Sequence, residues 1–233
     1  MRIFLGHQSV GADIVRGLGE LPAIEPAAAL RICDKGHIDE LPSGSQTRWL
    51  LVHTPIGRNR DPLSKLDEFE RLLRGELAQR VDLALCKFCY VDVTAATAID
   101  ELFAVYHSRM QELAAAVAPI RIAHITIPLR AVSAGWRARL SRALGRRDPE
   151  LAHNRAREDF NRRLRQAFPT ALFDLAAVES GQPEPLTVPD SIRSLRVDYT
   201  NDGGHLNAQG RRIAARAFLQ FLESVAISSC PQR

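Results

Sequence analysis

Three residues near the two ends of the chain have the types and the spacing of a nucleophilic hydrolase site. Ser9 follows the apolar run at 3–5 and precedes Val10-Gly11. Near the other end, two glycines separate Asp202 from His205, so both side chains can emerge from one tight turn. A carboxylate placed in this way can hold one ring nitrogen of the imidazole while the other faces a serine hydroxyl. The three residues therefore predict a nucleophile, a general base and an orienting carboxylate.

Each half of this set also has a purely structural interpretation. A serine between a strand and a helix commonly caps the helix, and the run Asn-Asp-Gly-Gly at 201–204 is typical of a turn. Neither explanation accounts for the joint occurrence of a strand-end serine at one end and Asp-x-x-His-Leu-Asn before the last helix at the other. We therefore favour the catalytic interpretation.

The two segments together resemble the end motifs of the SGNH, or GDSL, hydrolase family. The matching residues are His7-Gln8-Ser9 in the first segment and Asp202-x-x-His205-Leu206-Asn207 in the second. The resemblance implies that Ser9 is the nucleophile, His205 the general base and Asp202 the carboxylate that orients it. It also implies a flavodoxin-like fold and a reaction that needs no cofactor.

The same resemblance predicts how the oxyanion would be bound, with one departure from the family. The family uses a glycine after an early strand and an asparagine after a central one. Gly57 fits the glycine position, with a plain turn glycine as the alternative, but Val91 stands where the central Gly-x-Asn-Asp motif has its asparagine. We expect Asn59 to supply the amide instead, beside the backbone N–H groups of Ser9 and Gly57. The expected lining of the site is His7, Gln8, Tyr90 and Asp92.

Between the two ends, strand-like apolar runs alternate with helical stripes. The strand-like runs lie at 1–5, 28–33, 48–56, 81–93, 120–128 and 171–175, and the stripes at 66–77, 99–113, 160–168 and 213–225. This alternation predicts the α/β class, as a three-layer α/β/α sandwich around a parallel sheet of about five strands. Ligands of such sheets bind at the carboxyl ends of the strands, so we expect Ser9 at that edge.

A basic segment at 129–155 interrupts the pattern. Trp136, Leu140 and Leu144 recur at i, i+4 and i+8 among arginines, which is typical of a short amphipathic helix. We interpret residues 1–233 as one domain that carries this helical insertion. Because the insertion follows a strand, we expect it to border the mouth of the site. It would serve there as a lid, as a surface for an anionic membrane or partner subunit, or only as a solvated helix resting on the domain.

Composition restricts the other function classes. The chain has 31 Lys and Arg against 27 Asp and Glu, and this small excess is spread along its length, so we expect no nucleic-acid partner. The absence of an apolar run of transmembrane length and of a visible secretory signal favours a cytoplasmic protein with no transmembrane segment. No second ligand pair follows Cys86-x-x-Cys89, so no metal site is expected. The sequence leaves the oligomeric state open.

The predicted function is hydrolysis of an acyl ester through an acyl-enzyme on Ser9. An acetyl or other short-chain acyl group on a carbohydrate or similar alcohol is the expected substrate. An O-acyltransferase with a carbohydrate acceptor would use the same triad. A third interpretation, motivated by the altered central motif and the basic insertion, is a non-catalytic carbohydrate-binding or interaction protein on this fold.

Overall fold

The computed structural model describes residues 1–22, 30–36, 49–132, 148–182 and 192–227. These residues build a fully parallel six-stranded sheet in the order β2-β3-β1-β4-β5-β6. The strands are β1 (Arg2–His7), β2 (Leu30–Asp34), β3 (Trp49–Pro55), β4 (Leu83–Cys86), β5 (Arg121–Ile125) and β6 (Leu172–Phe173). The predicted α/β class is confirmed, with one strand more than the five expected because the short edge strand β2 pairs with β3.

Six helices in the described ranges cover the two faces of the sheet. They are α1 (Val10–Gly19), α2 (Pro62–Arg74), α3 (Ile99–Ala116), α4 (Pro149–Ala167), α5 (Leu175–Ser180) and α6 (Ala208–Ile227). One apolar core contains side chains of α1, α5 and α6, and the other contains side chains of α2, α3 and α4. The result is the three-layer sandwich that the sequence predicts.

The central strand β1 shows why the sheet is apolar on both sides. Ile3 and Leu5 lie in the core under α1 and α6, whereas Phe4 lies in the core under α2 and stacks on Phe69 at 5.9 Å between ring centroids. A parallel strand covered on both faces needs apolar residues at consecutive positions, which is what 3–5 provides. The burial of this strand fixes the position of the turn that follows it, where Ser9 lies.

The apolar run 81–93 is the clearest difference between pattern and structure. The sequence predicts its whole length as a strand, but β4 ends at Cys86 and a short 3₁₀ turn follows at Tyr90–Asp92. Phe88 and Val93 are buried in the core under α2 and α3 without belonging to the sheet. The run is therefore apolar because it is buried, and its second half forms a loop at the carboxyl edge of the sheet.

The predicted insertion at 129–155 is only partly described. Residues 133–147, which include Trp136, Leu140 and Leu144, lie outside the described residues. Residues 149–155 are the first two turns of α4, which Asp148 caps by accepting a hydrogen bond from Glu150 N. Across the described ranges, the helices are too short or too polar to cross a bilayer.

Candidate active site

Two neighbouring helices bring the two ends of the chain together. Ser9 precedes α1 and His205 precedes α6, and α1 and α6 share one apolar core through Ile14 and Phe218. The Asp13 carboxylate of α1 also accepts a hydrogen bond from Leu206 N at 3.0 Å. These contacts set the start of α1 against the segment before α6, so residues 196 positions apart in sequence become neighbours.

Ser9, His205 and Asp202 form a continuous hydrogen-bonded chain. Ser9 Oγ lies 2.5 Å from His205 Nε2, and His205 Nδ1 lies 2.6 Å from Asp202 Oδ2. The imidazole and the carboxylate are each about half exposed, at 48% and 56% of their side-chain surface. Both side chains are therefore open to solvent, and the carboxylate holds the ring nitrogen opposite the one that faces the serine.

The Ser9 backbone and side chain do not behave as those of a helix cap. Its φ of 49° lies in the left-handed region, which non-glycine residues adopt rarely and at a cost of about 1–3 kcal/mol. Its hydroxyl makes no capping bond to α1 and faces His205 instead. This strained turn aims the hydroxyl out of the strand-to-helix junction, and the capping interpretation of Ser9 does not describe it.

The turn around Asp202 holds its carboxylate in one orientation. Oδ1 accepts hydrogen bonds from the main-chain N–H of Gly204 and of His205, both at 2.8 Å, and Thr200 Oγ1 lies 3.2 Å away. Burial opposes ionisation of Asp202, but the hydrogen bonds from the His205 side chain and main chain outweigh it and hold the pKa of Asp202 well below its usual range. The carboxylate is thus ionised at neutral pH and lies where it can accept a hydrogen bond from His205 Nδ1.

Gly57 lies beside the serine turn through contacts made by Gln8. The Gln8 side-chain amide donates to the carbonyls of Ile56 and Gly57, at 3.2 and 3.0 Å. Gly57 has a φ of 55°, and a Cβ there would lie 2.5 Å from Lys65 N, so both its conformation and its packing require glycine. Gln8, expected in the lining, therefore fixes the glycine loop to the serine turn.

Asp92, also expected in the lining, lies under the site as part of a buried ion pair. Its carboxylate bonds the fully buried ammonium of Lys65 and accepts from Arg60 N at 2.8 Å and Cys89 N at 2.6 Å. Lys65 also donates to Asn59 Oδ1 at 3.3 Å. Asp92 thereby joins α2, the loop 57–61 and the turn after β4 into one unit.

Tyr90 and Arg130 form the wall beside the histidine. The Tyr90 ring meets the His205 ring edge to face at 5.9 Å, and a Cβ on Gly204 would lie 2.9 Å from the tyrosine hydroxyl. Arg130 lies over the Tyr90 ring at 5.3 Å, and its Nε lies 3.4 Å from Gly203 O. The half-buried tyrosine thus limits how the imidazole can turn, and Arg130 supports the turn that carries Asp202.

His7 is the last of the four expected lining residues, after Gln8, Asp92 and Tyr90, and it is buried, with 2% of its surface exposed. Its Nε2 lies 3.2 Å from His53 Nδ1, and its Nδ1 has no hydrogen-bond partner among the described residues. Burial, with His53 and Lys87 nearby, lowers the pKa of His7 to about 3. His7 is therefore neutral at neutral pH and packs beneath the site, where it cannot serve as its acid or base.

Buried neutral histidines predict a loss of stability in mild acid. His124 in β5 is also buried, its Nδ1 lies 2.8 Å from Tyr106 Oη, and burial lowers its pKa to about 3. The pKa of each histidine is lower in the folded protein than in the unfolded chain, so the unfolded chain binds more protons in mild acid. The contribution of the neutral histidines to the free energy of unfolding is therefore complete above pH 6.5 and is lost as pH falls toward 3. Each histidine adds up to about 1.4 kcal/mol per pH unit in that window.

The test compares the free energy of unfolding of wild type and His124→Gln between pH 6.5 and 5. The difference between the two proteins is the correct readout, because burial raises the pKa of Glu179 to about 8 and gives an opposite slope. We expect the variant to lose less stability per pH unit than wild type. Equal slopes would mean that His124 is not held neutral in the folded protein.

Several residues that support the site lie outside any sequence motif that would have identified them. The sequence does indicate that Lys65 is buried, because Lys65, Phe69 and Leu72 follow the i, i+4, i+7 spacing of one helix face, and that face of α2 is buried. A lysine on that face predicts a buried partner. Arg130 and Asp13 act through partners 73 and 193 positions away, and the sequence around them contains nothing that identifies those partners.

Comparison with known proteins finds solved structures that resemble this one at low sequence identity. Neither a known protein family nor a curated protein sequence matches the chain. A lipase/acylhydrolase from Enterococcus faecalis aligns over 100% of this chain and 98% of its own, with a TM-score of 0.50 and 14% identity. The psychrotrophic esterase EstA from Pseudoalteromonas sp. aligns over 97% and 98%, with a TM-score of 0.48 and 13% identity. The first of these likenesses shows a shared fold.

Proposed function

We propose that this protein is a serine esterase that hydrolyses an acetyl or other short-chain acyl ester of a carbohydrate or similar small alcohol. The observation that carries the proposal is the chain of contacts from Ser9 Oγ to His205 Nε2, at 2.5 Å, and from His205 Nδ1 to Asp202, at 2.6 Å. It lies at the carboxyl edge of a parallel sheet, where ligands of such folds bind.

In the first half of the reaction, Ser9 Oγ forms a bond to the ester carbonyl carbon as His205 Nε2 takes its proton. Asp202 stabilises the imidazolium that results. The tetrahedral oxyanion accepts hydrogen bonds from the N–H groups of Ser9 and Gly57 and from the Asn59 amide. The carbon–oxygen bond to the alcohol then breaks, and the alcohol leaves with the proton from His205.

In the second half, His205 takes a proton from water as the water oxygen attacks the acyl-enzyme. The tetrahedral intermediate collapses, Ser9 Oγ recovers the proton, and the carboxylic acid leaves. Because Asp202 remains ionised, the imidazole keeps the same tautomer in both halves of the cycle. The residues themselves supply every proton transfer, so the proposed cycle uses no cofactor.

The conformation of Ser9 supports an enzyme over a binding module on the same fold. A serine that only caps a helix would relax to an ordinary backbone conformation and bond the helix N–H groups. Ser9 instead keeps a φ of 49°, and its hydroxyl forms a hydrogen bond with His205. Strain of this kind persists where the surrounding structure imposes it, and it is concentrated at functional sites.

Replacing Asn59 by alanine tests the expected oxyanion donor. We expect kcat to fall about 10²-fold with KM changed less than about threefold, because an oxyanion donor acts mainly in the transition state. Steady-state kinetics on an aryl acetate measure both constants. A rise in KM with kcat unchanged would instead make Asn59 a substrate-binding residue.

The proposal is tested with aryl acetate, butyrate and octanoate esters and with acetylated sugars. We expect turnover that is fastest for acetate or butyrate. A sugar alcohol added to the assay separates hydrolysis from acyl transfer, since an O-acyltransferase would give the acylated sugar in place of the free acid. An absence of turnover on every ester, together with sugar binding by the intact protein, would favour the binding module.

A further inference from the structure

Beneath the proposed oxyanion site lies a buried lysine that the triad mechanism does not use. The side chains of Lys65 and Asp92 have no solvent-exposed surface and form an ion pair. Two charges in the interior remain there only if they are paired and hydrogen-bonded, and here the remaining carboxylate capacity is filled by Arg60 N and Cys89 N. Such an arrangement ties the loop 57–61 firmly to the core.

The ammonium of Lys65 also determines how the Asn59 amide is oriented. Lys65 Nζ lies 3.3 Å from Asn59 Oδ1. An ammonium group has only donors, so the amide must present its oxygen to the lysine and its NH₂ group away from it. Asn59 is otherwise exposed, and without this contact its side chain would be free to rotate.

The second proposed donor rests on the same lysine. A Cβ at Gly57 would lie 2.5 Å from Lys65 N, 2.7 Å from its Cα and 2.7 Å from its Cγ, so Gly57 packs directly on the lysine main chain. One residue of α2 therefore supports Gly57 through its backbone and Asn59 through its ammonium. The altered central motif, with Val91 in place of asparagine, lies in the turn that Asp92 joins to this unit.

We propose that Lys65 is a positioning residue that holds the Asn59 amide with its NH₂ group toward the oxyanion, with Asp92 as the partner that holds the lysine side chain in place. This inference rests on the proposed function. It explains how a chain without the central asparagine can retain a preorganised amide donor: the donor comes from the loop after β3 and is oriented from below. Preorganised donors stabilise developing charge without reorganisation at the moment of reaction.

The decisive experiment is a double-mutant cycle between Asn59 and the ion pair. The pair is removed as Lys65→Met with Asp92→Asn, because removing one partner alone would leave an unpaired buried charge and strongly destabilise the fold. We expect this variant to lose about 30-fold in kcat with KM nearly unchanged, as for a misplaced oxyanion donor. Asn59→Ala should cost about 10²-fold in wild type but less than about threefold in this background, since coupled residues are not additive.

The inference would be overturned if Asn59→Ala lowered kcat by the same factor in wild type and in the Lys65→Met/Asp92→Asn background. It would also be overturned if the folded Lys65→Met/Asp92→Asn protein had the kcat of wild type. Glu68→Ala, at the surface of the same helix, is the matched control and should leave both constants unchanged. A melting temperature for each variant separates loss of fold from loss of kcat.

Asn59→Asp tests the orientation without altering the buried pair. The new carboxylate can still accept from Lys65, but it places an oxygen where the NH₂ group stood. We expect its kcat to fall below that of Asn59→Ala, because a second negative charge then faces the oxyanion. A kcat equal to or above that of Asn59→Ala would also overturn the inference. The proposed function would survive either result if the remaining activity still depends on Ser9, and it fails separately if Ser9→Ala is active.

Discussion

Ser9→Ala is expected to abolish ester hydrolysis, with a loss of at least about 10³-fold in kcat, the scale seen when a triad nucleophile is removed. The reason is that no other hydroxyl lies against His205 Nε2 among the described contacts. The fold should be retained, because among the described residues the Ser9 hydroxyl bonds only His205, and alanine removes nothing but that hydroxyl. Aryl acetate turnover measures the loss, and the melting temperature measures the fold.

Ser108→Ala is the matched control for this substitution. Its hydroxyl lies on the exposed surface of α3, where it donates to Glu112 at 2.7 Å. We expect its activity to equal that of wild type. A well-folded Ser9→Ala protein with activity within a few-fold of wild type would discard the proposed mechanism.

His205→Ala is the second substitution with a large expected effect. It should cost about as much as Ser9→Ala, and the double variant should cost little more, because members of a triad act as a unit and their losses of roughly 10³-fold or more do not add. Asp202→Asn should be less severe, since the imidazole would remain in place without its charged partner. The kcat of the two single variants and of the double variant gives the answer.

Multiplied losses in the Ser9→Ala/His205→Ala protein would contradict this prediction. They would mean that the serine and the histidine contribute independently, so that the 2.5 Å contact between them is not used in proton transfer.

The local pattern was sufficient to predict the fold class and the single turn that carries Asp202 and His205. Apolar runs alternating with helical stripes predict a parallel sheet covered on both faces, and the carboxyl edge of such a sheet is where a serine after the first strand must lie. The Asp-x-x-His spacing predicts a single turn for Asp202 and His205, and in the structure that turn carries both side chains.

The hydrophobic pattern was insufficient where residues are buried by packing against helices and do not belong to a strand. The run 81–93 is apolar throughout, yet only Leu83–Cys86 forms a strand, since the rest is buried under helices as a loop. His7, at the end of β1, and Asp92, in the turn after β4, were expected in the lining, and both side chains are buried. Adjacency in sequence to Ser9 or to the central motif does not determine on which side of the sheet edge a side chain will point.

The support behind the site could not be predicted, because it depends on contacts between distant segments. The Lys65–Asp92 pair joins residues 27 positions apart, and the Arg130 contact with Gly203 spans 73. Buried polar groups form such pairs because each would otherwise be costly to bury alone. Only the placement of Lys65 on the apolar face of α2 hinted that a partner existed.

The most direct test of the account is labelling of the folded protein with a fluorophosphonate, which forms a stable bond only with an activated serine. Intact mass and peptide mapping then identify the modified residue. We expect one adduct per chain, located on Ser9, with labelling greatly slowed in His205→Ala because the base no longer takes the serine proton. An unlabelled wild-type protein, or an adduct on a serine other than Ser9, would contradict it.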